Sequence, residues 1–266
     1  MRSADSNSPG IRHPVSEQVE LGIVVPGICG PLAETESLKN NPVMNSWLKT
    51  LSRSACLEDQ SGFAVVMASL FQLEAGRVLP SAALTMIAND AFEQTSYYMH
   101  ADPVHLRADM DQAVLTSSED LDIKEDEAAA LCEMLNHHFS QDGLSFTAVD
   151  KDRWIVSSNK PIHLDTTPLV EATGRNVNFL LPHGADESSW KQMMTEAQML
   201  LHTHEVNAER ERAGLPSINS LWFHGCGETG DLRIGEVVSL CSDDDVLKGL
   251  CKQMECYYMN VPESAD

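Results

Sequence analysis

The sequence predicts an α/β fold, a mostly parallel sheet with flanking helices. Three observations carry that expectation. Apolar runs of strand length at 21–25, 218–223, 234–240 and 256–261 are separated by stretches of helical periodicity. Trp190, Met193, Met194, Ala197, Leu200, Leu201 and His204 recur at spacings that place them on one face of an α-helix. That helix leads through a stop and a strand into the glycine-rich stretch His-Gly-Cys-Gly-Glu-Thr-Gly at 224–230. Loops after strands are where α/β folds place ligands.

Taken in order, residues 1–16 lack the apolar core of a signal peptide and read as a disordered leader. Residues 21–25, Leu-Gly-Ile-Val-Val, read as a central strand ending at Pro26-Gly27. Val43, Trp47, Leu48 and Leu51 keep helical spacing within 42–56, and 61–73 and 81–88 are further helix candidates. Residues 96–99 look extended. They lead into Ala-Asp-Pro-Val-His-Leu-Arg at 101–107, where Asp102-Pro103 reads as a turn and the remainder as a polar strand edge. A helix over 125–139 would bury Ala128, Leu131, Cys132, Leu135 and Phe139. Residues 145–149 and 153–157 flank Asp150-Lys151-Asp152 as a hairpin. The long helix starts at Asp186 as N-cap and stops at Gly214, with Pro216 forbidding its continuation. The strand, helix and strand at 234–240, 246–254 and 256–261 read as a βαβ unit in a parallel sheet.

The chain has 266 residues, a formal net charge of −22 and a sequence pI of about 4.6. Such a surface repels nucleic-acid phosphates and anionic lipid heads, so neither is expected as a partner, and the charge serves solubility. Seven cysteines, at 29, 56, 132, 226, 241, 251 and 256, show no framework spacing. They read as reduced thiols of a cytoplasmic protein. Cys251 and Cys256 have no second Cys/His pair nearby to complete a zinc site. No apolar run reaches transmembrane length.

The segments ADPVHLRADMDQAVL (101–115) and EAQMLLHTHEVNAERERAGLPSINSLWFHGCG (196–227) resemble the RpfE-type regulatory proteins of proteobacteria, and the resemblance covers nearly all of 20–261. The second segment more distantly resembles the archaeal-type 2,3-bisphosphoglycerate-independent phosphoglycerate mutases. In those a His-Pro-x-Asn-x-x-Arg phrase precedes Gly-Leu-Pro, an Asn and a strand entering a glycine-rich loop. Here the phrase is His204-Glu205-Val206-Asn207-Ala208-Glu209-Arg210, followed by Gly214-Leu215-Pro216 and Asn219, with Glu205 in place of the proline. The resemblance implies an alkaline-phosphatase-like core, here incomplete, with an inserted α+β domain. By that analogy 17–96 and 218–266 form the core and 97–217 the insertion. The mutases open with a strand running into a metal-binding aspartate, where this chain has Pro26, which offers no ligand atom. Their nucleophile is a serine in a Gly-Ser-Asp-like phrase at a helix start. Ser61, in Gln60-Ser61-Gly62, is the one candidate and lacks the acidic neighbour. Their remaining metal ligands lie in Asp/His motifs well downstream of 256–261, and this sequence ends at Asp266. Two-metal phosphoryl transfer needs clustered carboxylates and histidines, so no metal and no cofactor are expected.

Arg210 is the best anion fork in the sequence, and Asn207 shares its helical face three residues away. Its alternatives are an anionic ligand or a salt bridge to Glu209, Glu211 or a carboxylate between core and insertion. Asn219 and the Gly225-Cys226-Gly227 loop should lie nearby. His105 and Arg107, among Asp102, Asp109 and Asp111, would suit an acidic ligand or form the polar strand edge. His202 and His204, two apart on a helix, point about 200° apart and cannot share a metal. Cys226 has only His224 as a neighbouring base, aimed elsewhere by strand geometry. The expected function is that of a degenerate, non-catalytic mutase-like regulatory or binding protein. Its partner would be an unidentified protein or a small phosphorylated or acidic ligand. The alternative is a metal-dependent phosphoglycerate mutase or related phosphotransfer enzyme using Ser61.

Overall fold

A computed structural model describes residues 79–109, 112–229 and 239–261, all within one compact unit, 64–266. The expectations for the leader, the strand at 21–25, the helices at 42–56 and 61–73 with Ser61, and most of 234–240 lie outside the described residues.

In chain order the described elements are α1 (Ser81–Ala88), β1 (Tyr97–Asp109), β2 (Gln112–Thr116) and α2 (Glu125–Phe139). Next come β3 (Leu144–Asp150), β4 (Arg153–Ser158), β5 (Leu164–Asp165), α3 (Leu169–Ala172) and β6 (His183–Gly184). The last are α4 (Glu187–Thr203), α5 (Glu205–Arg212), β7 (Ser220–His224), β8 (Ser239–Cys241), α6 (Asp245–Met254) and β9 (Tyr257–Met259).

The fold is mixed α/β, but its main sheet corrects the parallel expectation. The strand order is β2-β1-β4-β3, with β7 on β1, and every pairing in it is antiparallel. The turn at Lys151-Asp152 is too short for anything but an antiparallel hairpin. The continuous apolar run of β7 is not a sign of parallel pairing. Its first four residues are buried because both faces of the sheet are covered. A parallel βαβ unit does occur, β8-α6-β9, but among the described residues it is a separate two-stranded sheet.

One face of the main sheet (Met99, Ala101, Phe146, Trp154, Val156, Leu221, Phe223) packs on α2 through Leu131 and Leu135, and on α4 through Trp190, Met193, Ala197 and Leu201. On the other face Tyr98 and Ile155 meet Ala82, Ala83 and Met86 of α1. Further along, Val104, Leu115 and Trp222 meet Ala172 and Val177. Leu84 of α1 also packs on Leu247 and Leu250 of α6. No helix among the described residues is long and apolar enough to cross a membrane.

Two local readings change. Pro103 lies inside β1, opposite Leu221, rather than in a turn. Val104 and Leu106 direct their backbone groups to Asn219 on the β7 side. Pro103 therefore turns its missing N–H to the other side, where pairing with β4 ends at His100 and Ile155. The long helix is two helices. His204 breaks it with φ −78° and ψ 140°, and its ring Nδ1 accepts the Val206 N–H to cap α5. Asp186 does not cap α4 with its side chain. Its carboxylate accepts the His163 backbone N–H instead. Gly214, at φ +74°, ends α5 as expected. Leu215 N–H bonds to Arg210 O and Gly214 N–H to Glu211 O, a complete Schellman stop.

Candidate functional site

The expected cleft residues converge, but on one another and on backbone. Arg210 is fully buried, and its guanidinium donates to Glu127 Oε2 at 2.8 Å, to Pro216 O at 2.8 Å and to Leu121 O. Glu127 sits at the third position of α2, where the same Oε2 also accepts the Lys124 N–H at 2.9 Å. Arg210 therefore ties the end of α5 to the start of α2 and to the turn before it. Asn207, also buried, donates from Nδ2 to Leu201 O and Ile218 O, and its Oδ1 accepts the Ile218 N–H. It pins the helix break to the entry of β7. Asn219 mimics one more ladder residue: Leu106 N–H donates to its Oδ1 at 2.7 Å, and its Nδ2 donates to Leu106 O at 2.9 Å. His105 Nδ1 meets Ser217 O at 2.8 Å, and Arg107 is exposed. Ser61 lies outside the described residues.

A second polar cluster was not anticipated. His100 and Asp102 are two apart on β1, so their side chains share a face. His224, the last residue of β7, is directly opposite His100 across the antiparallel pair. His224 Nε2 is 2.8 Å from Asp102 Oδ2, and Asp102 Oδ1 accepts the Trp154 N–H at 3.0 Å. The His100 and His224 rings stack at 4.6 Å with an interplanar angle of 15°. One ligand atom from each of the three residues lies within 4.8 Å of the others. His100 and Asp102 are buried, and His224 is only partly so. Burial, reinforced by the His224 charge, pushes the His100 pKa down to about 4, against the opposing pull of Asp102.

The glycine-rich loop closes over this cluster. Gly225 has φ +68°, and a Cβ there would lie 2.0 Å from Ser81 Oγ and 3.0 Å from His100 Cδ2. Gly225 N–H donates to Thr166 Oγ1, and Gly225 O accepts the Ala82 N–H at the start of α1. Those bonds engage a donor that an anion would need. Cys226 is buried, its thiol donates to Leu164 O, and burial pushes its pKa up, the opposite of an activated nucleophile. A surface hollow of about 380 Å³ is lined in part by Lys160, Asp142, Asp186 and Glu196, and neither the Arg210 cluster nor His100, Asp102 and His224 line it.

Pro26, which the resemblance sets where the mutases carry a metal-binding aspartate, lies outside the described residues and offers no ligand atom. The His100–Asp102–His224 set is a different one, with donors suited to a cation. Its only sequence signals are His-x-Asp in one strand and a histidine ending another. Their partnership spans 122 residues and rests on the pairing of β1 with β7.

The family model of 2,3-bisphosphoglycerate-independent phosphoglycerate mutase matches residues 88–207. A Methanosarcina mazei protein of that name is 27% identical over 135 residues, which is 48% of this chain and 34% of the relative. Methanothermobacter thermautotrophicus 2,3-bisphosphoglycerate-independent phosphoglycerate mutase 2 is 27% identical over 131 residues, 47% of this chain and 33% of the relative. Among solved structures, the cofactor-independent phosphoglycerate mutase of Thermoplasma acidophilum aligns with a TM-score of 0.42 and 18% identity, covering 76% of this chain and 58% of that one. The chain is phosphoglycerate-mutase-like through its middle, and the match spans about a third of the length of the curated relatives.

Proposed function

We propose that this mutase-like chain acts by binding rather than by phosphoryl transfer, in the regulatory manner implied by its RpfE-type resemblance. Its target would be a protein or a small phosphorylated or acidic molecule, met in the reducing cytoplasm. The observation that carries this reading is the engagement of Arg210. The strongest anion fork of the chain is buried against Glu127 and two carbonyls, so it has no face left for a phosphoryl oxygen. Asn207 and Asn219 are likewise spent on backbone groups. By the resemblance to the mutases, phosphoryl transfer would rest on metal held in part by an aspartate where this sequence has Pro26, which has no ligand atom.

The test is a coupled assay converting 3-phosphoglycerate to 2-phosphoglycerate with the full chain, Mn²⁺ supplied and an archaeal relative as the positive control. No conversion above the protein-free rate is expected. Conversion that Ser61→Ala abolishes would establish the enzyme reading instead.

A further inference from the structure

We propose that His100, Asp102 and His224 form a binding site for one divalent first-row transition ion, of which Zn²⁺ is the representative. The inference goes beyond the binding reading above and stands whether or not the protein turns over phosphoglycerate.

Two independent observations point to the ion. The first is the juxtaposition of donors: two imidazoles and a carboxylate, from two strands that meet only in the folded chain, with ligand atoms within 4.8 Å. The second is an orphan. His100 is only 4% exposed, and its Nδ1 has no hydrogen-bond partner among the described residues. A ring nitrogen buried without a partner is something native structures rarely tolerate unless a ligand or water meets it.

The surroundings are those of a ligand set with a supporting shell. Asp102 is oriented by the Trp154 N–H on one oxygen, leaving the other for the ion. Two nitrogen donors with one oxygen favour Zn²⁺ or its neighbours over Mg²⁺ and Ca²⁺, which prefer all-oxygen shells. Three protein donors also leave a position for water or a ligand. The chain's net charge of −22 draws cations.

The ion-free geometry needs a defined adjustment. Imidazole lone pairs lie in the ring plane, so two rings stacked 15° from parallel cannot both aim at one ion. The His224 side chain is the least buried of the three, at 13% exposed, and it is the ring that tilts. The tilt replaces the His224–Asp102 hydrogen bond with two metal bonds. The proton held between them moves to His224 Nδ1 or to solvent.

The experiment is titration of the full, metal-stripped chain with Zn²⁺ and, as a spectroscopic probe, Co²⁺, with Mg²⁺ in excess throughout. One ion per chain is expected, with Co²⁺ d–d bands and no thiolate charge-transfer band. His224→Ala should weaken binding by at least about 100-fold, the upper end of what loss of a supporting contact alone produces. Because that variant also loses the Asp102 contact, the wild-type protein supplies a second readout. Imidazole ¹⁵N resonances of His100 and His224 should shift on Zn²⁺ addition, while that of exposed His202 stays fixed. No stoichiometric ion, a thiolate band, unchanged affinity in His224→Ala, or static His100 and His224 resonances would each overturn the site.

Discussion

Arg210→Ala removes the cation that joins α5, the α2 N-terminus and the turn at Leu121. The substitution leaves Glu127 Oε2 with only the Lys124 N–H, and strips a donor from the carbonyls of Leu121 and Pro216. Leu121 is fully buried, so water cannot readily take over its carbonyl. Glu127 is 14% exposed and recovers part of its solvation. Breaking a buried pair by deleting one partner costs about 3–5 kcal/mol. At about 2–4 °C per kcal/mol for a chain of this size, Tm should fall by about 6–20 °C. Arg210→Met combined with Glu127→Gln should be more stable than the single Arg210→Met change, because the stranded carboxylate is gone, with a coupling of about 1–3 kcal/mol. Thermal melts by circular dichroism, with and without millimolar 3-phosphoglycerate, provide the readout. A Tm loss below about 2 °C would refute the structural role, as would a ligand-induced Tm rise in wild type that disappears in the variant.

Other perturbations follow from the same geometry. In metal-free protein the depressed His100 pKa means the unfolded chain takes up a proton below about pH 6.5, while the folded chain resists until about 4. Its contribution is therefore complete above pH 6.5 and declines as pH falls, by about 3 kcal/mol in all. Denaturant melts from pH 7.5 to 4 should show a slope that His100→Gln removes. Gly249→Ala places a Cβ 1.9 Å from Leu84 O between α6 and α1. It should destabilise the fold by about 1–3 kcal/mol in the same melts. Burial pushes the thiols of Cys132 and Cys251 up to about 12, while Cys241 is exposed. Site-resolved alkylation of the native protein should label Cys241 and spare the other two until unfolding.

The helices at 81–88 and 125–139 were legible because each buries one face. The helices at Ser81–Ala88 and Glu125–Phe139 fall where periodicity puts them, and the Asp150–Arg153 hairpin where its turn residues put it. Gly214 marks a helix stop because few other residues accept its φ. Strand direction was not legible, since burial on both faces gives β7 the same apolar run in either orientation. The break at His204 was missed because Leu201 and His204 continue a helical spacing even though the backbone turns away. The cluster of His100, Asp102 and His224 was hidden for the same reason as the sheet. Only the long-range pairing of β1 with β7 brings His224 to the other two, and nothing local encodes it. Arg210 stood out in the sequence, but its partner Glu127 lies 83 residues away at the start of another helix.

The claim that this chain binds without transferring phosphoryl groups is tested most directly by ³¹P NMR. The 266-residue chain would be incubated with 3-phosphoglycerate and Mn²⁺ for many hours, a measurement that registers mutase and phosphatase products together. The account predicts one unchanged phosphomonoester resonance. Growth of a 2-phosphoglycerate or inorganic phosphate signal, absent from a Ser61→Ala control, would contradict it.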